Sequence, residues 1–351
     1  MELKQHVAWI DGMKGLLAIV VVMCHLRMAF APIIAERFWI YQFPFSQFFA
    51  GGMAVAAFIC LSSIVMTIKC EDDTKWQKIL LKRYFRLAFP IVPILLLYIM
   101  LWRIGWLYNN HLVEKLGRGI STPSPPSSVK SIIKTMLTTP FGSGTQYLGV
   151  FWMLPYVFAT PFVAVLLNIM TQKLSTVKFL GVLCACSLIA AILDPFWINV
   201  FIGYGIAKNI VNRETMHFLD IKRRWMLLGV LLLLYVISNY LPFFKAGIAT
   251  VKGVLLVIFV IYSSLMQRIL SFRPFVWLGR VSFEIYLLHL IVIYSLACWL
   301  YLNVPYFSHR LVCIFVGTIV VTILFAWIWS IVVNKPINTL LRSGERKFMG
   351  S

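Results

Sequence analysis
The sequence predicts an all-α, polytopic membrane protein of about ten transmembrane helices with both termini in the cytoplasm. Three observations carry that prediction. Of 351 residues, 61% are apolar and only 13% charged, against about 25% charged in an ordinary soluble domain. Mean hydropathy is +0.87 over the whole length. The apolar residues fall in long runs, not in the weak alternating segments of a membrane β-barrel. Together these exclude a soluble globular enzyme, a disordered chain and a secreted disulfide scaffold.

A helix needs about 20 mostly apolar residues to cross a bilayer. Ten segments meet or approach that length: 9–31, 47–68, 84–104, 147–169, 177–193, 196–212, 224–243, 250–267, 279–301 and 310–333. The first carries Asp11 and Lys14 at its start and lacks a small-residue cleavage site, so it reads as a retained helix and not a signal peptide. The fifth and sixth are short and are separated only by Asp194-Pro195, a helix-breaking pair. Between the third and fourth lies the longest loop, 105–146, with the Pro/Ser stretch 121–128. It reads as a flexible cover over an outer site or as a spacer. No internal repeat or second domain is evident, so 1–351 reads as a single transmembrane domain.

Orientation follows from the basic residues. With the N-terminus inside, 22 of the 32 Lys and Arg fall on the cytoplasmic side and 10 outside, as the positive-inside rule requires. The formal charge of +20 is therefore a membrane pattern and does not point to nucleic acid. The predicted location is the plasma (inner) membrane, multi-pass, in contact with membrane lipids. Seven cysteines lie mostly in apolar runs. They read as buried structural thiols, and no spacing suggests a metal site.

Charges inside spans are costly and mark functional candidates. Lys14 and His25 are eleven residues apart in the first segment, three turns plus roughly 20°, so they share one helix face about 16 Å apart along the axis. Asp11, three residues before Lys14, shares that face and can pair with the lysine. Arg83 and Arg86 are an i,i+3 pair at the cytoplasmic boundary of the third span. Two guanidiniums there suit a phosphate clamp or a lipid head-group anchor. Ser282, Tyr286 and His289 form a polar stripe with a 4,3 spacing, and Glu284 falls off it. Such a stripe faces protein or a water-filled cavity. With Trp152, these residues are the candidates to line an acceptor cavity; interhelical packing is the alternative reading.

Taken in order, these pieces resemble the acyltransferase-3 family of integral-membrane O-acyltransferases along essentially the whole chain. Asp11-Gly-Met-Lys14-Gly…His25 is similar to the family's Arg/Lys-x10-His signature. Phe48-Phe-Ala-Gly-Gly52…Phe58-Ile-Cys-Leu-Ser62 resembles its second span. Arg83-Tyr-Phe-Arg86 with Pro90 resembles the Arg-x-x-Arg…Pro approach to the third span, and Phe151-Trp152 the start of the fourth. Leu278-Gly…Ser282-Phe-x-x-Tyr286-Leu-x-x-His289 and Asn334-Lys335-Pro336 resemble the closing motifs. The chain departs at Val157, where many members carry Glu, and at an apolar position in the second span. It shows no appended SGNH hydrolase-like domain.

The resemblance implies transfer of an acyl group, usually acetyl, from cytoplasmic acyl-CoA to a hydroxyl of an envelope or surface glycan, without a metal. Lys14, Arg83 and Arg86 would hold the CoA phosphates. His25, with Lys14 and Asp11, would carry the catalysis, either as general base or by taking the acyl group covalently. Ten spans with intramembrane charges also suit a transporter or flippase of a lipid-linked saccharide, and a non-catalytic sensor is a third reading.

Overall fold
A computed structural model describes residues 8–34, 44–72, 76–117, 119, 121, 123–211, 221–239, 245–307 and 309–339. In chain order the α-helices of seven residues or more are α1 (Ala8–Ala29), α2 (Gly51–Asp72), α3 (Trp76–Ala88), α4 (Ile91–Arg103), α5 (Asn109–Leu116), α6 (Val129–Thr138), α7 (Leu154–Thr171), α8 (Thr176–Leu193), α9 (Ile198–Val211), α10 (Ile221–Ile237), α11 (Lys245–Tyr262), α12 (Ser264–Leu270), α13 (Arg273–Arg280), α14 (Ser282–Val292) and α15 (Arg310–Trp329), with shorter ones at Ala31–Ile34 and Cys298–Asn303. Single π-helical turns, Ile293–Ala297 and Ser330–Asn334, follow α14 and α15. The long apolar helices lack a polar face because both protein and lipid offer them apolar surroundings.

Among the described residues, seven helices are long and apolar enough to cross a membrane, or eight if a bent pair counts as one span. That count covers the described residues alone, and it neither matches nor contradicts the ten expected segments. Two of those segments are described as the 14 residues of α9 and the 17 of α10, which adjoin residues 212–220 outside the described ones. The segment expected at 250–267 is the bent pair α11 and α12, turned by 97°. Ser263 makes the break: its backbone is extended, and its hydroxyl caps α12 by accepting from Met266 N. Asp194-Pro195 breaks the chain as expected. Asp194 Oδ1 accepts from Phe196 N at 2.8 Å, and Oδ2 accepts from the Tyr156 hydroxyl at 2.8 Å.

The 105–146 loop is not irregular throughout, because it contains α5 and α6. The hydroxyls of Ser128 and Ser131 form a reciprocal capping box at the start of α6, and the Tyr98 hydroxyl holds Pro123 O at 2.5 Å. Of the thiols, Cys60 and Cys298 are buried, but Cys184 and Cys313 are exposed on their apolar helices.

The chain divides into two compact units. One comprises Met1–Met13, Gly52–Arg83 and Pro155–Val276; the other comprises Lys14–Gly51, Tyr84–Leu154 and Trp277–Ser351. In the first, α2 meets α9 through the Ser63 hydroxyl, which donates to Val200 O at 2.6 Å. Asn199, Thr250 and Pro195 form a buried hydrogen-bonded chain. Ala164, Leu167 and Tyr204 form a small core beneath Phe179 and Leu183. In the second unit, α14 packs along α15. The Tyr286 hydroxyl ties α14 to Val150 O at 2.7 Å, and Tyr108 N donates to Tyr294 O at 2.8 Å.

The Asp11-Gly-Met-Lys-Gly15 segment has a steric reason for its glycines. A methyl group on Gly12 would stand 1.9 Å from Leu270 O, and one on Gly15 would stand 2.7 Å from Gly279 N. Both neighbours are backbone and cannot swing away. Gly15→Ala should therefore destabilise the second unit by about 1–3 kcal/mol through overpacking, read as a lower unfolding midpoint of the full chain in detergent. Gly229→Ala is the control: nothing lies within 4 Å of that added carbon, and its midpoint should hold or rise.

Candidate functional site
The second unit holds Lys14, His25, Arg86, Trp152, Ser282, Glu284, Tyr286 and His289, while Asp11 and Arg83 belong to the first. Within the second unit the residues sort by what they touch.

His25 on α1 and His289 on α14 meet. His25 Nδ1 lies 3.2 Å from His289 Nε2, with ring centroids 4.8 Å apart and the planes inclined by 55°. His289 is fully buried and His25 half-buried. Their partners fix the protons. His289 Nδ1 lies 2.7 Å from Tyr286 O and 3.3 Å from Ile285 O. A carbonyl oxygen only accepts, so this nitrogen carries its hydrogen and donates. In the neutral ring, His289 Nε2 is then an acceptor. His25 Nδ1 faces that acceptor and Val21 O at 3.0 Å, so it too must donate. The lone pair of His25 therefore sits on Nε2, which makes no hydrogen bond among the described residues. The arrangement holds one imidazole in a fixed tautomer, with its basic nitrogen turned away from the residue that orients it.

The rest of the predicted stripe is divided in use. Tyr286 spends its hydroxyl on Val150 O, next to the turn that carries the half-buried Trp152. The Ser282 hydroxyl donates to Gly279 O at 2.8 Å and closes the turn between α13 and α14. Only His289 of the three meets His25.

Glu284, off the stripe, is buried and accepts from Asn334 Nδ2 at 2.5 Å. Arg86 lies near enough for its charge to act on that carboxyl, while remaining exposed. Asn334 ends the π-helical turn after α15, and sequence reasoning did not pair it with Glu284. The signal available was its place in Asn334-Lys335-Pro336, but no spacing rule links positions 50 residues apart.

In the first unit, Arg83 Nη2 donates to Ser62 Oγ at 2.8 Å and to Val157 O at 3.2 Å. Its guanidinium thus ties α3 to α2 and α7, and half of it is buried there. Position 157, where the family resemblance breaks down in side chain, supplies the arginine with a backbone carbonyl instead. Asp11 and Lys14 are both half-buried on α1. Among the described residues, no group of three or more His, Cys, Asp or Glu stands close enough to hold a metal ion.

No curated protein and no solved structure matches the chain. A family model described as an acyltransferase domain, that of the acyltransferase-3 family, matches residues 7–328. That span runs from the start of α1 almost to the end of α15 and takes in both histidines, both arginines and the glycine-bearing first helix. The chain belongs to the acyltransferase-3 family, and it is an acyltransferase of the kind that moves groups other than aminoacyl groups.

Proposed function
We propose that the protein transfers an acyl group, acetyl in the first instance, from cytoplasmic acyl-CoA to a hydroxyl of an extracytoplasmic glycan in the plasma membrane. His25 Nε2 is the general base. The observation that carries this reading is the His25–His289 hydrogen bond, whose donors and acceptors leave the lone pair on Nε2.

The chemistry balances on that nitrogen. Nε2 takes the proton of the acceptor hydroxyl as its oxygen attacks the thioester carbonyl. The carbon–sulfur bond breaks, and the imidazolium returns the proton to the departing CoA thiolate. The products are the O-acyl glycan and free CoA. His289 acts by positioning. It accepts from His25 Nδ1, and so favours the imidazolium that forms as Nε2 takes its proton, much as a carboxylate orients the histidine in serine hydrolases.

On the donor side, exposed Arg86 and half-buried Lys14 are the cations we assign to the CoA phosphates. The eleven residues from Lys14 to His25, roughly 16 Å along the helix, are the distance the acyl arm would cover. Arg83, already bonded to Ser62 and Val157, supports this side by holding α3.

The direct test is mass spectrometry of envelope glycans from cells with the gene, without it, and with His25→Ala. An acyl increment that appears only with the intact gene establishes the transfer, and its mass names the acyl group. Identical glycans in all three strains would overturn glycan acylation. A base of this kind is worth about 10²–10⁴ in rate, so His25→Ala should lose that much. His289→Ala should lose about tenfold or more in kcat, with KM for acyl-CoA nearly unchanged, and His289→Gln should recover part of it, because the glutamine carbonyl still accepts from Nδ1. Equal activity of His289→Ala and wild type would remove His289 from the mechanism.

A further inference from the structure
Tyr301 follows the π-helical turn after α14, and two cations converge on it. Arg310 Cζ stands 4.4 Å from the ring centroid and Lys115 Nζ stands 5.7 Å from it. Among the described residues neither makes an ion pair. The nearest carboxylate in sequence, Glu114, is turned to His111 at 3.6 Å. Arg310 Nε is buried with no hydrogen-bond partner. Two like charges gathered at one ring repel each other. The ring's electron-rich face offsets part of that repulsion, and an anion between them would offset the rest.

The cluster is joined to the catalytic histidine. Phe30 N donates to Leu26 O at 3.0 Å, which carries the helical path of α1 five residues past His25, about 7.5 Å along the axis. The Phe30 ring then packs against Tyr301 at 5.5 Å and Phe315 at 5.8 Å. Phe30 stands roughly one and a half turns beyond His25, toward the end of α1 away from Lys14, on a face about 140° round from the histidine, and Tyr301 leads from it to the cations. In the reading proposed above, on which this inference rests, that is the acceptor side.

We infer that Lys115 and Arg310 form a seat for an anionic group of the acceptor, the carboxylate of an acidic sugar. The guanidinium offers a fork that fits a carboxylate bidentately, and the ammonium offers a mobile second charge. Selection would thus rest on acceptor charge.

The test uses the purified full chain in neutral detergent and three probes. An oligogalacturonate carries the carboxylates, its carboxyl-reduced neutral counterpart does not, and phosphatidylglycerol vesicles supply an anionic head group. The expected result is thermal stabilisation by the oligogalacturonate over the neutral oligosaccharide. A Lys115→Gln/Arg310→Gln double variant should bind the oligogalacturonate at least tenfold more weakly. Stabilisation by acetyl-CoA, measured in parallel, should be the same in both proteins. That arm separates the two readings, since its absence from the wild type would count against the acyltransferase assignment of the donor side and not against the anion seat. Equal response to acidic and neutral oligosaccharides overturns the inference. So does an unchanged response in the variant, or a response to phosphatidylglycerol alone. Should the double variant fail to fold, Lys115→Gln carries the test, since that side chain is exposed. Tyr301→Phe, which keeps the ring, should bind the oligogalacturonate as the wild type does.

Discussion
The hydrogen bond between His25 and His289 constrains more of this protein than any other single contact. It joins the first helix to one that begins more than 250 residues later. Each ring nitrogen in the chain from Tyr286 O through His289 to His25 has a determined role, because the carbonyl at one end can only accept. Val21 O, which can only accept, asks for the same tautomer of the first histidine from within its own helix, and the second histidine adds a further acceptor on the same nitrogen. The steric fit of Gly15 against Leu278 and Gly279 brings α1 to the segment that leads into α14. The close glycine approach and the histidine contact thus act at two levels of the same pair of elements.

The other polar residues of the second unit follow the rule that a bilayer imposes on any buried donor or acceptor. Tyr286 is bonded to Val150, Ser282 to Gly279, and Glu284 to Asn334. Each of these bonds closes a turn or couples two helices. The same holds in the first unit, where Arg83 is tied to Ser62 and Val157. A residue in a sequence signature can therefore belong there for assembly, and its bonding state separates that role from chemistry better than its residue type does.

Much of the architecture was legible because lipid and water demand such different surfaces. The helix breaks at Asp194-Pro195 and the extent of α8 follow from runs and breakers alone. Local chemistry was harder to read, since the turn at Ser263 depends on one hydroxyl finding one amide. In the long loop, Pro and Ser suggested irregular chain, yet Ser128 and Ser131 are the capping residues of a helix. Of the candidate site, the alignment of Lys14 and His25 was readable from helical periodicity. The contact of His25 with His289 was not, because no periodicity relates residues on different helices. Glu284 was seen as an outlier from the stripe for the same reason: its partner comes from the π-helical turn after α15.

These constraints also bear on how one helix would serve, in the proposed reaction, two substrates that arrive from opposite sides. A donor carrying phosphates and an acceptor carrying hydroxyls need different surroundings, and a single cavity lined uniformly with cations would hold both poorly. α1 separates the tasks along its axis. Lys14 lies near one end, His25 lies eleven residues on, and the Phe30 contact leads to Tyr301 beyond it. Between Lys14 and His25 the helix buries Leu17, Ala18, Val21 and Val22 against protein. In the proposed reaction those apolar surroundings would shield a thioester from water until the acceptor hydroxyl arrives.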